Sequence, residues 1–195
     1  MDEITQLLEQ WREGDSTAFD RIAPAVYDHL HQVAEGYLGR ERPGHTLQAT
    51  ALVHEVFLRL MQSQSVSYTS REHFFTFAAK LMRRILVDFA RKNLSLKRGE
   101  GVAPVTLAPE LAWVDASSPE FLDLDVALSE LAALDPSKVR TIEIRFFLGA
   151  TSVETAEILG QSRSSVDRDV RFALSWLHQR LNDQRLKNLK QNNSI

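Results

Sequence analysis

Apolar positions recur at intervals of three and four residues along most of this chain, and no segment alternates with period two, which predicts an all-α protein. The recurrence predicts helices over about 2–12, 15–38, 46–62 and 70–93. It fails between Leu94 and Ser118, where Gly99, Gly101, Pro104 and Pro109 interrupt any stripe and Pro119 follows. A second helical set is expected at about 121–134, 137–148, 152–159 and 163–182, ahead of a polar, frayed end in "KNLKQNNSI". The pattern thus predicts two small helical domains, 1–95 and 121–185, joined by a Pro/Gly-containing linker over 96–120 and followed by a polar tail at 186–195.

The stretch from Thr151 to Leu181, "TSVETAEILGQSRSSVDRDVRFALSWLHQRL", has the spacing of a helix-turn-helix. Small Ala156 lets two helices approach, Gly160 supplies a permissive turn, and Val166 begins an apolar stripe through Val170, Ala173, Leu174, Leu177 and Leu181. Ser162 is placed to cap the second helix. The remaining face carries Arg163, Ser164, Asp167, Arg168 and Arg171, with Ser165 beside them, all able to bond phosphates or base edges. Two core helices joined by a glycine turn would have no use for that basic side. The first two turns are expected to read bases through Arg163, Ser164, Asp167 and Arg168, with Arg171 meeting phosphate.

A second segment rich in chemistry is "FFTFAAKLMRRILVDFARKN", Phe74 to Asn93. Phe74, Ala78, Leu81, Ile85 and Phe89 form one stripe, expected to be buried, and Lys80, Arg84, Val87 and Arg91 trace the opposite one, with Arg83 and Lys92 widening the basic edge. A helix buried on one side and cationic on the other suits a phosphate backbone, and the preceding "SVSYTSREH" offers Tyr68, Arg71 and His73 to an unpaired base. Arginines on an ordinary solvent-facing helix are the alternative, which this segment alone leaves open.

Charge sharpens the picture. The formal net charge of −3 over 195 residues conceals blocks of opposite sign: residues 70–98 hold 8 Lys/Arg against 2 Asp/Glu, residues 99–137 hold 8 acidic residues and no basic one, and residues 161–195 hold 7 basic against 3 acidic. Two basic segments separated by an acidic one suggest two nucleic-acid contacts and a linker that avoids DNA. The chain has no cysteine, no apolar run of membrane-spanning length and an acidic N-terminus, so a cytoplasmic protein is expected. Enzyme signatures are missing: "HEVFL" at His54–Leu58 lacks the second histidine of a zinc helix, His29 and His31 are expected on different helix faces, and there is no Gly-rich phosphate loop. Neither a metal nor a cofactor is expected.

Taken in order, "ATALVHEVFLRLM", "FFTFAAKLMRRILVDFARKN", the linker and the helix-turn-helix resemble the two-domain bacterial sigma factors of the extracytoplasmic-function (ECF) type, over nearly the whole chain. "TLQATALVHEVFLRL" with "MRRILVDFARK" is similar to a divergent subgroup of that family. The resemblance implies binding to core RNA polymerase through His54, Glu55, Leu58 and Gln62. It also implies contact with the downstream, melted promoter element through Tyr68, Arg71, Phe77, Lys80, Arg83, Arg84, Arg91 and Lys92. The upstream duplex element would be read through Ser162, Arg163, Ser164, Ser165, Asp167, Arg168 and Arg171.

The chain departs from the family pattern in having Thr50 and Ala51 where the docking helix usually opens with acidic residues. It has Phe77 and Ala79 where a Trp and a Tyr are common, and Arg84 in place of an Asn. Charge from Lys80, Arg83 and Arg84 is therefore expected to replace part of the stacking. The acidic linker would lie in polymerase's RNA channel. An anti-sigma factor is the default regulatory partner, and the free domains are expected to close by pairing the acidic linker with a basic face. Two other classes fit the helical pattern: a helix-turn-helix transcriptional regulator with an N-terminal sensing or dimerisation domain, and an all-α interaction protein. The basic helix near residues 80–92 separates them from the sigma reading, because a sensing domain has no need of it.

Overall fold

Every regular element among the described residues is helical, as the three-and-four spacing requires. The computed structural model describes residues 3–15, 17–18, 20–24, 27, 30–31, 49–62, 70–96 and 119–192. Helix α1 is Glu3–Arg12, α2 is Ala49–Gln62 and α3 is Arg71–Leu96. The described residues between Thr17 and His31 are helical as well. The second set comprises α4 (Pro119–Leu134), α5 (Pro136–Ile142), a π-helical turn π1 (Glu143–Phe147), α6 (Ser152–Leu159) and α7 (Arg163–Asn192).

Local chemistry sets the helix ends. Asp135 opens α5: its Oδ1 accepts from the main-chain nitrogens of Ser137 at 3.1 Å and Lys138 at 3.3 Å, while Pro136 occupies a first-turn position that needs no donor. Lys138 Nζ at 2.5 Å, then the Ser137 hydroxyl at 2.6 Å and the Lys138 N–H, hold the Asp135 carboxyl well below the usual carboxylate range. Thr151 opens α6 with a reciprocal capping box: its Oγ1 accepts from Glu154 N at 3.2 Å, and its own N donates to Glu154 Oε2 at 2.7 Å.

Two segments differ from the periodic expectation. The helix expected over 137–148 changes pitch at Glu143 to a π turn, in which Glu143, Ile144, Phe146 and Phe147 are buried. Helix α7 runs to Asn192 rather than ending near 182, so the polar end expected to fray is helical through that residue. Its stem is fixed by Arg180, which makes a bidentate pair with Glu130 of α4 at 2.5 and 2.7 Å. Of the expected linker, residues 97–118 fall outside the described residues, as do Tyr68 and His29, while Leu96 ends α3 and Pro119 and Glu120 open α4.

Helix α3 lies at the centre. On one side it receives α2 and the edge-on contact of Trp11 with Phe74, 6.4 Å between ring centroids. On the other it packs against π1, α4 and α6. Phe74, Ala78, Leu81 and Ile85 are buried as expected, whereas Phe89 is half-buried. Ala79, Met82, Leu86, Val87 and Ala90 are buried too, so apolar burial wraps well beyond one stripe. Val87, expected on the solvent face, is covered because that face meets the second helical set.

Candidate nucleic-acid and polymerase interfaces

The helix-turn-helix forms from local signals. Gly160 takes φ +62° and ψ 33°, the left-handed conformation that glycine adopts without steric cost, and ends α6. Its N–H reaches Glu157 O at 3.4 Å, and that of Gln161 donates to Ala156 O at 2.9 Å, closing the last turn. Two residues on, Ser162 Oγ accepts from Ser165 N at 3.2 Å and caps α7. Val166, Ala173 and Leu177 are fully buried, and Val170 and Leu174 partly so. The inner side of α7 is thereby anchored and its outer side projects.

On that outer side Arg163, Ser164, Arg168 and Arg171 are exposed, and Ser165 and Asp167 are half-buried. Arg163 lies 3.7 Å from Asp167 with its side chain 70% exposed, a surface pair worth about 1 kcal/mol at most. Arg168 Nη2 donates to Ser165 Oγ at 3.3 Å, and Arg171 Nε donates to Asp167 O at 3.3 Å. These local bonds pre-position the guanidinium groups without burying them. Asp169 lies 3.8 Å from Lys138 of α5 and lines a cleft with it and with Arg168.

Helix α3 is different. Lys80, Arg84, Arg91 and Lys92 are exposed, Arg71 and Phe77 are half-buried, and Arg71 sits 5.6 Å from the Phe75 ring centroid. Arg83, expected on the basic edge, is instead 11% exposed and clamped by the second helical set. Its Nε donates to Asp125 Oδ1 at 2.8 Å, Nη1 to Glu143 Oε1 at 2.9 Å, and Nη2 to Asp125 O at 2.6 Å and to Ser129 Oγ at 3.0 Å. Burial pushes the Glu143 carboxyl above its ordinary range, an effect that Arg83 and Lys80 oppose and Asp125 reinforces.

Above this clamp a cleft of about 570 Å³ remains open, rimmed by Lys80, Arg84 and Arg91 from α3 and Arg140 from α5. Asp125, Ser129 and Glu143 were not among the residues singled out by sequence. Glu143 had a signal, a lone carboxylate inside the apolar run "TIEIRFF", which only a buried cation could satisfy.

On α2, His54 is exposed and Leu58 is 53% exposed, while Glu55 is half-buried and engaged by Arg59 at 2.7 Å. Gln62 ends the helix. The back of α2 is fixed by Leu52, Val53, Val56 and Leu60, all fully buried. Thr50, where an acidic residue is common in the family resembled, lies 3.3 Å from His31 Nε2.

A capped helix pair around a left-handed turn with a cationic leading face, attached to a second helical unit with its own basic helix, is the build of a two-part helix-turn-helix protein. Residues 1–183 match the family model described as ECF sigma factor, and the chain belongs to that family. It is similar to the ECF RNA polymerase sigma factor BldN of Streptomyces coelicolor, with 25% identity over 169 residues, covering 84% of this chain. The match spans 60% of the length of that relative. Among the described residues no helix is long and apolar enough to cross a membrane.

Proposed function

We propose that this protein is a cytoplasmic sigma factor that binds core RNA polymerase and directs promoter recognition and transcription initiation, with polymerase making every phosphodiester bond. The observation that carries the reading is the leading face of α7, where Arg163, Ser164, Arg168 and Arg171 project from a helix whose opposite side is locked into the core. Residues 1–95 form the unit that docks on polymerase and holds the opened strand. Residues 96–120 are the linker, and 121–185 form the reader of the upstream element. His54 and Leu58 supply the exposed docking surface of α2, with Glu55 and Gln62 on the same helix. Lys80, Arg84, Arg91 and Lys92 track the phosphates of the melted strand, Arg71, Phe77 and Tyr68 serve its bases, and Arg83 joins them when it is released from its carboxylates. An anti-sigma factor is the expected class of regulatory partner.

A pull-down with core polymerase followed by run-off transcription tests the reading. Capture of polymerase and promoter-dependent transcripts are expected. A helix-turn-helix regulator with a sensing or dimerisation domain would bind duplex DNA and give no transcript from core enzyme alone. Replacing His54 and Leu58 with Asp is expected to weaken the polymerase complex with helicity unchanged. Equal affinity in competition against another sigma factor would remove α2 from the docking surface.

A further inference from the structure

The cleft between α3 and the second helical set gathers cations on two sides. Lys80, Arg84 and Arg91 line it from α3, and Arg140 lines it from α5. At its base Arg83 and its two carboxylates leave a single negative charge, against four cations on the rim, so the lining carries a net charge of +3. Among the described residues Lys80 and Arg84 have no ion pair or hydrogen bond. Arg91 meets Asp88 only at 3.7 Å and Arg140 meets Glu72 only at 3.8 Å, and each of those four side chains is more than 40% exposed. Pairs so long and so wet hold their cations weakly.

Cations in excess of the carboxylates beside them attract anions, and the walls of a cleft focus that field. We infer that this cleft binds a compact polyphosphate anion, free or carried by a nucleoside, with Arg140 closing the site over the phosphates from the side opposite α3.

Size and chemistry both point to that class of ligand. The volume of about 570 Å³ is that of a small-molecule site. Lys80 and Arg91 stand about 16 Å apart along the axis of α3, too far for one phosphate to engage both, whereas a chain of phosphates meets several cations at once. The guanidinium forks of Arg84, Arg91 and Arg140 offer paired donors that match phosphate oxygens. Ala132, Pro136 and Val139 line the same cleft and give an apolar patch against which a ribose or base can rest. An extended strand is a poorer fit in this arrangement, because Val87, between Arg84 and Arg91, is only 4% exposed and the track of cations is interrupted there. The three α3 cations are also those proposed for the melted strand, so an anion seated here makes strand affinity depend on its concentration. That consequence rests on the sigma-factor reading above, whereas the site itself does not.

Calorimetric titration of the full chain in magnesium-free, low-salt buffer tests the site with three probes: inorganic triphosphate, ATP and adenosine. One-to-one binding of triphosphate and of ATP is expected, with no heat from adenosine. Tighter binding of ATP than of triphosphate identifies a nucleotide as the occupant, and equal binding identifies the bare phosphate chain. Arg140→Ala is expected to weaken both phosphate probes about tenfold, and Arg140→Lys, which keeps the charge, to weaken them less. Ser129→Glu, which adds a carboxylate at an exposed position in the lining, is the second variant and is expected to act in the same direction with Arg140 intact. Arg185→Ala removes an exposed cation of α7 outside the cleft and is expected to change neither affinity.

Absence of heat from both phosphate probes overturns the site. So does an affinity that Arg140→Ala leaves unchanged with native helicity, or one that Arg140→Ala and Arg185→Ala lower equally, since that is diffuse attraction to a basic surface. Run-off transcription without added anion does not call on Arg140, so its failure strikes the sigma-factor reading and leaves the cleft assignment standing.

Discussion

Two helices of this protein carry similar arginine-rich faces and present them in opposite ways. On α7 the leading arginines project from a helix whose far side is buried, and they meet only local partners such as Ser165 and Asp167. On α3 the corresponding face is covered only at Arg83 and Val87, with Lys80, Arg84, Arg91 and Lys92 exposed, and its central arginine is spent on Asp125 and Glu143. The same residue type is thus a ready contact in one place and a structural clamp in the other. Positive charge on an amphipathic helix marks where an anion is needed, and the nearest anion can belong to the protein itself.

The largest expected effect strikes the support of the clamp. Phe147 is fully buried in π1 and meets Phe121 edge-on at 6.4 Å, so Phe147→Ala is expected to cost about 3–5 kcal/mol, read as a lower denaturant midpoint. Because π1 carries Glu143, strand access on α3 should rise in the molecules that stay folded.

Next comes the contrast within α7. Arg168→Ala is expected to cost about 1–3 kcal/mol on the preferred promoter and to relax selectivity at one base pair, measured by selection from a randomised upstream element. Arg171→Ala should instead weaken all sequences alike and flatten the salt dependence by about one ion. An unchanged preferred sequence for Arg168→Ala would move the base reader to another residue of that face.

Gly160→Val is a smaller and purely local perturbation. Open space surrounds the position, so the penalty is the left-handed backbone alone, about 1–2 kcal/mol in thermal unfolding. Duplex binding is expected to fall with single-stranded binding unaffected, which would separate the two nucleic-acid surfaces.

The smallest effect is electrostatic and specific to the clamp. Because the folded state holds the Glu143 proton more tightly than the unfolded chain does, stability falls as pH rises from the ordinary glutamate value of 4.5 through the raised one. Glu143→Gln should flatten that part of the urea-midpoint profile. Asp135 works the other way: its lowered pKa contributes stability that is present at neutral pH and lost as pH falls through the carboxylate range.

Much of this molecule was legible before any coordinate. The helical class, the helix from Ser152 to Leu159, the turn at Gly160, the Ser162 cap and the buried stripe from Val166 to Leu181 all follow from interactions within a few residues, which a linear pattern records directly. The pitch change at Glu143 was not legible, since a π turn is selected by what the side chains must pack against rather than by local propensity. Nor was the reach of α7 to Asn192, which carries a polar sequence beyond its last buried stripe residue, Leu181. Closure between the two helical sets is expected from sequence through the acidic segment, of which residues 99–118 lie outside the described residues and Asp125 lies within them. The observed closure uses Asp125 of α4 and Glu143 of π1.

The sequence by itself determined which segments are helices, where the turn of the helix-turn-helix falls and which side chains carry charge, because hydrophobic period, caps and glycine backbone act over a few residues. Only the tertiary structure decided which cations are available. Arg83 and Arg84 are neighbours in the chain with the same chemistry, yet one is half-buried and clamped by two carboxylates and the other is exposed. A rotation of about 100° per residue on the helix separates their directions, and the partner waiting in one of those directions comes from 42 and 60 residues away.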